Sequence, residues 1–326
     1  MGLSLVGYRP WTGQLRGAWR SPWPIARTAL WMLFRRKLFW LLYLVALLNF
    51  MVFASCIYVL SQIDIEELTG GQLQRARFSF IPVRNLQAFV DELRLRLHLA
   101  GTGATYRNFF GLQGYIVMAI LALAGSILIG NDYRFGTLPF YLSKPLGRWH
   151  YLLGKCLAVA LLVNLMTTIP ALVIYAECGL LNAFPTRGDP DDCIDTVRIF
   201  WGILGYGAIL TVCLSLLVVA LSSWLRKTVP LVMVWLGILL FSRLISDALV
   251  DGLGYDVHWR LIDLWNNMYV VGSECLGVVA KLTENRRQYV TRPQPEWWKA
   301  ATVLATMCSL CLIYLNHRIR AVEVVR

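Results

Sequence analysis

The sequence is poor in charged residues, and acidic residues are the scarcer kind. Charged residues make up 15% of its 326 positions, with 19 Asp+Glu against 31 Lys+Arg. Soluble domains carry about 25% charged residues, so this scarcity argues against a free cytosolic enzyme. The 57% content of hydrophobic residues excludes a disordered chain. The composition therefore indicates an integral membrane protein.

The sequence also lacks the short motifs that mark many enzymes. The nucleotide-binding pattern GxxxxGK[ST] is absent, because the pair Gly154-Lys155 has Trp149 where the first glycine should stand. HExxH, GxSxG and paired CxxC motifs are absent as well, and the four histidines are scattered. We therefore expect no catalytic residue, no metal site and no cofactor in this chain. An intramembrane enzyme is disfavoured, because it would need a cluster of reactive side chains that the spans do not offer. A secondary transporter is also disfavoured, because the sequence shows neither inverted repeats nor midplane carboxylates.

Six apolar segments are each long enough, as helices, to cross a bilayer core of about 30 Å. The predicted fold is an all-α integral membrane protein with a tail (1–37) and one six-span domain (38–326). The predicted spans are 38–60, 110–130, 151–176, 200–221, 230–250 and 297–315, and the outer connections are 62–109, 177–198 and 251–296.

Basic residues are concentrated on one side of these spans. The tail 1–37 holds seven Lys/Arg and no acidic residue. The positive-inside rule then places both termini in the cytoplasm of a multi-pass protein of the cell (inner) membrane. A basic chain can also bind nucleic acid, but here the charges flank apolar runs, so we expect membrane lipid and no nucleic acid. Residues 23–37 predict a cytoplasmic interfacial helix starting at Ser21-Pro22; the alternative is a flank with Trp anchors.

Two outer connections predict helices of their own. Residues 83–99 have apolar positions at helical spacing. Residues 261–282 are too interrupted by polar side chains to span, and they predict one or two helices in the outer leaflet before the sixth span. Cys178 and Cys193 bracket the connection between spans 3 and 4, and they could form a disulfide in an oxidising compartment.

A few polar or kink-forming residues lie within the spans, where they serve a pathway or helix packing. Thr167 to Pro170 predicts a loosened third helix. Arg243 and Asp247 stand at i,i+4 on the fifth span, and we favour a self-neutralising pair near the outer interface over a functional site. The whole set is Asn49, Asn164, Thr167, Thr168, Pro170, Arg243 and Asp247.

The connection between spans 2 and 3 is the most informative stretch. Thr137 can cap a short helix, 138–142, with Pro139 in its first turn, and Ser143-Lys144-Pro145 ends it. A short amphipathic helix rich in aromatic residues suits docking into a groove of a soluble partner. The alternative is an ordinary interfacial loop.

This connection resembles the permease subunit of type-2 ABC (ATP-binding cassette) transporters, which are mostly exporters. The family carries an acidic residue, Gly-Thr-Leu, Leu-Ser-x-Pro, an Arg, and a Gly-Lys at the start of the third span. Two positions depart from the family pattern: Asp132 replaces the usual Glu, and Pro139 replaces a helix former in the coupling helix. The matching residues are Asp132, Gly136-Thr137-Leu138, Leu142-Ser143-Lys144-Pro145, Arg148 and Gly154-Lys155.

The resemblance implies a complex of two permeases, as a homodimer or heterodimer, with two separate ATPase subunits that hold ATP and Mg. The ATPase would bind at 131–150 and near 222–229. One set of residues would make polar contacts with the ATPase, form the turn and helix cap, fill the groove of the ATPase and supply charge complementarity. The set is Asp132, Arg134, Gly136, Thr137, Leu138, Phe140, Tyr141, Ser143, Lys144, Pro145, Arg148, Gly154 and Lys155.

An alternative function is a non-transporting scaffold or assembly factor. Its long outer connections, 62–109 and 251–296, would bind an extracytoplasmic partner. Substrate-stimulated ATP turnover in vesicles distinguishes a transporter from such a scaffold.

Overall fold

The computed structural model describes residues 22–62, 102–125, 148–180, 191–225, 227–278 and 293–318. Every regular element in these ranges is a helix, and six helical stretches are long and apolar enough to cross a membrane. The predicted all-α, six-span fold is therefore confirmed. The predicted outer helix at 83–99 and the connection 131–147 lie outside the described residues.

The helices follow the predicted order. In chain order the α-helices are α1 (Pro22–Phe34), α2 (Lys37–Gln62), α3 (Gly103–Gly125), α4 (Arg148–Met166), α5 (Thr168–Leu180), α6 (Asp191–Trp224), α7 (Thr228–Asp247), α8 (Leu264–Cys275) and α9 (Trp297–Arg318). Spans 1 to 6 are the membrane-crossing parts of α2, of α3, of α4 with α5, of α6, of α7 and of α9.

Helix α3 begins at Gly103, earlier than the apolar run that starts at Phe110. Arg107 and Asn108 lower the hydropathy of this first part of the helix. It is nevertheless well buried, because Tyr106 and Phe109 are both 0% exposed. Burial of these two aromatic side chains stabilises two helical turns that hydropathy alone does not predict.

The bundle has two distinct ends. At the end where α1 lies, called here the α1 end, the close of α3 meets α6 and α7: a Cβ at Gly125 would come within 2.9 Å of Val218 Cγ1 and 3.6 Å of Leu231 Cδ2. At the opposite end, a 3₁₀ helix (Val257–Ile262) and α8 form a cap, defined here as residues 257–275. This arrangement confirms the helices predicted before the sixth span.

The spans differ in how much of them is buried. Spans 2, 3 and 4 are 61%, 50% and 67% buried, whereas spans 1, 5 and 6 are each 17% buried. Large apolar side chains such as Leu48, Phe241 and Leu310 therefore point away from the bundle. These outward faces can contact lipid or another chain.

Candidate functional site

The third span is broken in the middle, as its sequence predicted. Helix α4 ends at Met166 and α5 begins at Thr168. The neighbouring helical bonds persist, from Thr167 N to the Val163 carbonyl (2.9 Å) and from Ala171 N to the Thr167 carbonyl (3.1 Å). Pro170 has no N–H to donate to the Met166 carbonyl four residues earlier. The break therefore frees one backbone acceptor inside the bundle.

Gln113 of α3 supplies the missing donor. Its Nε2 donates to the Met166 carbonyl at 2.7 Å and lies 3.4 Å from the Ala46 carbonyl. Its Oε1 accepts from Asn49 Nδ2 at 2.7 Å, and the side chain is 1% exposed. Buried polar groups are costly unless they are hydrogen-bonded. One glutamine thus joins span 1, span 2 and the broken span 3.

A second set of polar contacts holds the break against span 4. Asn164 Nδ2 donates to Thr211 Oγ1 at 3.0 Å, and Thr168 Oγ1 donates to Asn164 Oδ1 at 2.7 Å. Gly207 allows this approach, because a Cβ there would lie 2.1 Å from Thr168 Oγ1. We call the combined set the hinge site: Asn49, Gln113, Asn164, Thr168, Pro170 and Thr211.

The hinge site contains four of the five polar or kink-forming residues predicted within spans 1 and 3. The fifth, Thr167, is buried at the break and donates to the Val163 carbonyl at 2.8 Å. The sequence analysis missed Gln113 and Thr211. The signal for Gln113 was present, since it is the only amide side chain in the apolar stretch 110–130.

A cavity of about 180 Å³ lies beside the hinge site, between span 1 and the two halves of span 3. The residues that line it are apolar except for Gln113 and Tyr43.

Arg243 and Asp247 form the predicted pair, with Arg243 Nε 3.8 Å from Asp247 Oδ2, but they do not act alone. Arg260 of the cap lies 3.8 Å from Asp247 and donates to Asp251 at 2.6 Å. Arg243 also donates to the Tyr115 hydroxyl. Two arginines and two aspartates therefore form a neutral network that ties the end of span 5 to the cap. The sequence analysis missed Arg260, because no sequence pattern in a polar connection indicates which basic side chain will be buried against the end of span 5.

Helix α8 of the cap begins at a buried carboxylate. Asp263 is 5% exposed and accepts hydrogen bonds from the backbone N–H groups of Trp265 (3.0 Å) and Asn266 (3.2 Å). It therefore starts α8 as an N-cap. Burial raises the pKa of Asp263, and the two N–H donors oppose that rise. Immediately before the cap, the hydrogen bond from the His258 side chain lowers the pKa of the exposed Asp256.

Helix α1 covers the start of span 3. A Cβ at Gly154 would lie 2.9 Å from Ile25 Cβ and 3.0 Å from the Pro22 carbonyl oxygen. Lys155 is 2% exposed, with its Nζ 5.7 Å from the centre of the Tyr151 ring. Gly154 of the motif therefore packs directly against α1, and Lys155 is buried beside Tyr151 of its own helix.

The other coupling residues are placed less fully. Arg148 is the first residue of α4, although its side chain is outside the described set. Residues 132–145 also lie outside it. Cys178 is buried, and the side chain of Cys193 falls outside the described residues, so their disulfide stays a prediction.

A family model described as ABC-2 family transporter protein matches residues 23–263. The match covers nearly all of α1, the first five spans and the whole 3₁₀ helix of the cap, about three quarters of the chain. The chain therefore belongs to the ABC-2 transporter family, and it is a multi-pass membrane permease of that family. Such permeases are normally non-catalytic membrane subunits. No curated protein matches the chain.

Proposed function

We propose that this chain is the permease subunit of an ABC exporter and that it couples to a separate ATPase subunit through residues 131–150. The observation that carries the proposal is the family match, together with the direct attachment of that connection to span 3. The ATPase holds ATP and Mg; this chain supplies the membrane path. Both termini and the α1 end face the cytoplasm of the cell membrane, and the cap faces outside.

Movement enters the membrane at Arg148. Helix α4 has 19 residues from there to Met166, and its ends are about 27 Å apart at helical rise. Because α1 packs on Gly154, the first turns of α4 and the cytoplasmic helix move together. The hinge site then divides span 3 into two halves that can take different angles. Nucleotide-driven closure of the ATPases would tilt α4 against α5, which is a two-state change of packed helices.

A second permease chain completes the path. Spans 1, 5 and 6 are each only 17% buried within one chain. Membrane helices associate by close packing and interhelical hydrogen bonds. These spans supply the surface for a homodimer or a heterodimer, and the complex holds two ATPase subunits.

The alternative of a scaffold has one supporting observation. Large apolar side chains near the cap are exposed, with Leu253 at 68%, Tyr255 at 55% and Trp259 at 48%. Such a patch fits an extracytoplasmic protein, although aromatic side chains also line membrane interfaces. If this chain were only a scaffold, adding it to the ATPase subunit would not raise the rate of ATP hydrolysis.

The test is coexpression of the full chain with its cognate ATPase. Gly136→Trp and Arg148→Glu should reduce both recovery of the complex and stimulation of ATP hydrolysis. Arg36→Glu is the matched control, since Arg36 is an exposed cation at the same end of the bundle. If both coupling variants bind and stimulate the ATPase like the unmodified chain, residues 131–150 do not form the interface.

A further inference from the structure

The cavity beside the hinge site lies near the middle of the membrane. Gln113, on its wall, stands ten residues after Gly103 and twelve before Gly125, about 15 and 18 Å from the two ends of α3. A bilayer core is about 30 Å thick, so these distances place the cavity near the midplane. A lipid head group does not reach this depth, whereas the end of an acyl chain does.

The cavity wall offers no free amide to a polar ligand. The Gln113 oxygen accepts from Asn49, and its nitrogen is taken by the Met166 and Ala46 carbonyls. The other polar side chain is Tyr43, whose ring stacks on Phe39 with centroids 6.1 Å apart, and the remaining lining residues are apolar. A water molecule needs two to four polar partners to be held in a cavity. The chemistry of the wall therefore selects hydrocarbon.

The cavity opens sideways, towards the surface of the bundle. Leu47, Ile169 and Val173 line it and are 37%, 50% and 49% exposed. Its 180 Å³ is close to the ~150 Å³ of an engineered apolar cavity that binds benzene. The space fits a few methylene groups, which is the end of a chain rather than a whole lipid.

We propose that this cavity binds the terminal segment of an acyl chain from a bilayer phospholipid. The chain end lies between span 1 and span 3 and touches both sides of the break, through Met166 on one side and Ile169 on the other. A change in the angle between α4 and α5 alters the shape of this site. The proposal is independent of the ATPase partner and of the exported substrate.

The test uses the full chain in phospholipid vesicles that contain a small fraction of phosphatidylcholine with a diazirine at the end of one acyl chain. After irradiation, mass spectrometry measures labelling of residues 165–173 against residues around Leu240, an exposed position near the middle of span 5. We expect several-fold more labelling at 165–173. A lipid with the diazirine in its head group should not label this segment.

Two variants separate a site from general lipid contact. Val173→Trp fills the mouth of the cavity and should lower labelling of residues 165–170 several-fold, and Ile169→Trp serves if the first variant does not fold. Leu240→Trp is the matched control and should leave that labelling unchanged. Equal labelling of all exposed spans, or no effect of either filling variant, would overturn the proposal. Disulfide-linked dimers of Ile169→Cys without lipid labelling would assign the cavity to contact between two permeases instead.

Discussion

Gln113→Leu tests whether the glutamine compensates for the proline in span 3. Leucine has a similar size and no polar atom, so the Met166 carbonyl loses its donor and Asn49 loses its acceptor. An unsatisfied buried acceptor costs about 1–3 kcal/mol. Interhelical hydrogen bonds in membranes average about 0.6 and reach about 1.7 kcal/mol. We expect the free energy of unfolding to fall by about 1–2 kcal/mol.

Pro170→Ala supplies the decisive comparison. Alanine restores an N–H four residues after Met166, so the carbonyl regains a helical partner. In the Gln113→Leu background this change should recover about 1 kcal/mol, because a backbone donor replaces the lost one. Recovery stays partial because Asn49 remains without its acceptor. The two changes should therefore be non-additive, as expected for residues that share one partner.

Reversible unfolding of the purified chain in mixed micelles, by titration with a denaturing detergent, measures all four members of this cycle. Tyr115→Leu with Pro170→Ala is the control pair, since Tyr115 lies on the same helix but contacts Arg243 and Trp265. That pair should be additive. Additive effects for Gln113→Leu and Pro170→Ala would refute the link between the glutamine and the break.

Three further predictions concern packing and charge, and unfolding in the same micelles measures each. Gly207→Ala places a Cβ 2.1 Å from the Thr168 hydroxyl and should lower the free energy of unfolding by about 1–3 kcal/mol. Gly111→Ala, with no neighbour within 4 Å, should raise it by about 0.5–1 kcal/mol, and equal effects of the two changes would contradict the packing. Arg260→Gln should cost about 1–2 kcal/mol, less than a fully buried pair because its partner Asp251 is 41% exposed, and no loss would exclude the cap network as a stabilising element. Since burial raises the pKa of Asp263 above its usual 3.8, the folded chain binds this proton more tightly, and stability should fall as pH rises from about 3.8 through the raised folded pKa. Asp263→Asn should remove that slope, and an unchanged slope would show that another group titrates.

The sequence predicts the parts of this fold that depend on local pattern. Apolar runs of sufficient length mark the six spans, and Pro170 marks the break, because both effects act within one segment. Hydrogen-bond partners between helices are different, since they depend on which faces meet. Gln113 is recognisable in the sequence as an amide side chain within an apolar run, but only the packing of the helices shows that its partner is the Met166 carbonyl. Arg260 gave no signal, because its burial depends on how the cap folds back.

The coupling residues show the other limit. A motif match predicts Asp132 to Lys155 as one functional set, yet Gly154 packs against α1 and Lys155 is buried beside Tyr151. A sequence pattern reports that residues occur together, without separating those that touch a partner from those that hold a helix in place. For Gly154 the close approach of Ile25 supplies the physical reason, because any side chain would displace α1.

The most direct test of the account is the side of the membrane on which residues 131–147 lie. In a background without the eight native cysteines, Thr137→Cys and Asp256→Cys would be exposed to a membrane-impermeant maleimide, first in intact cells and then in inside-out vesicles. The account predicts that Thr137→Cys reacts only in inside-out vesicles and Asp256→Cys only in intact cells. Labelling of Thr137→Cys in intact cells would contradict coupling to a cytoplasmic ATPase through this connection.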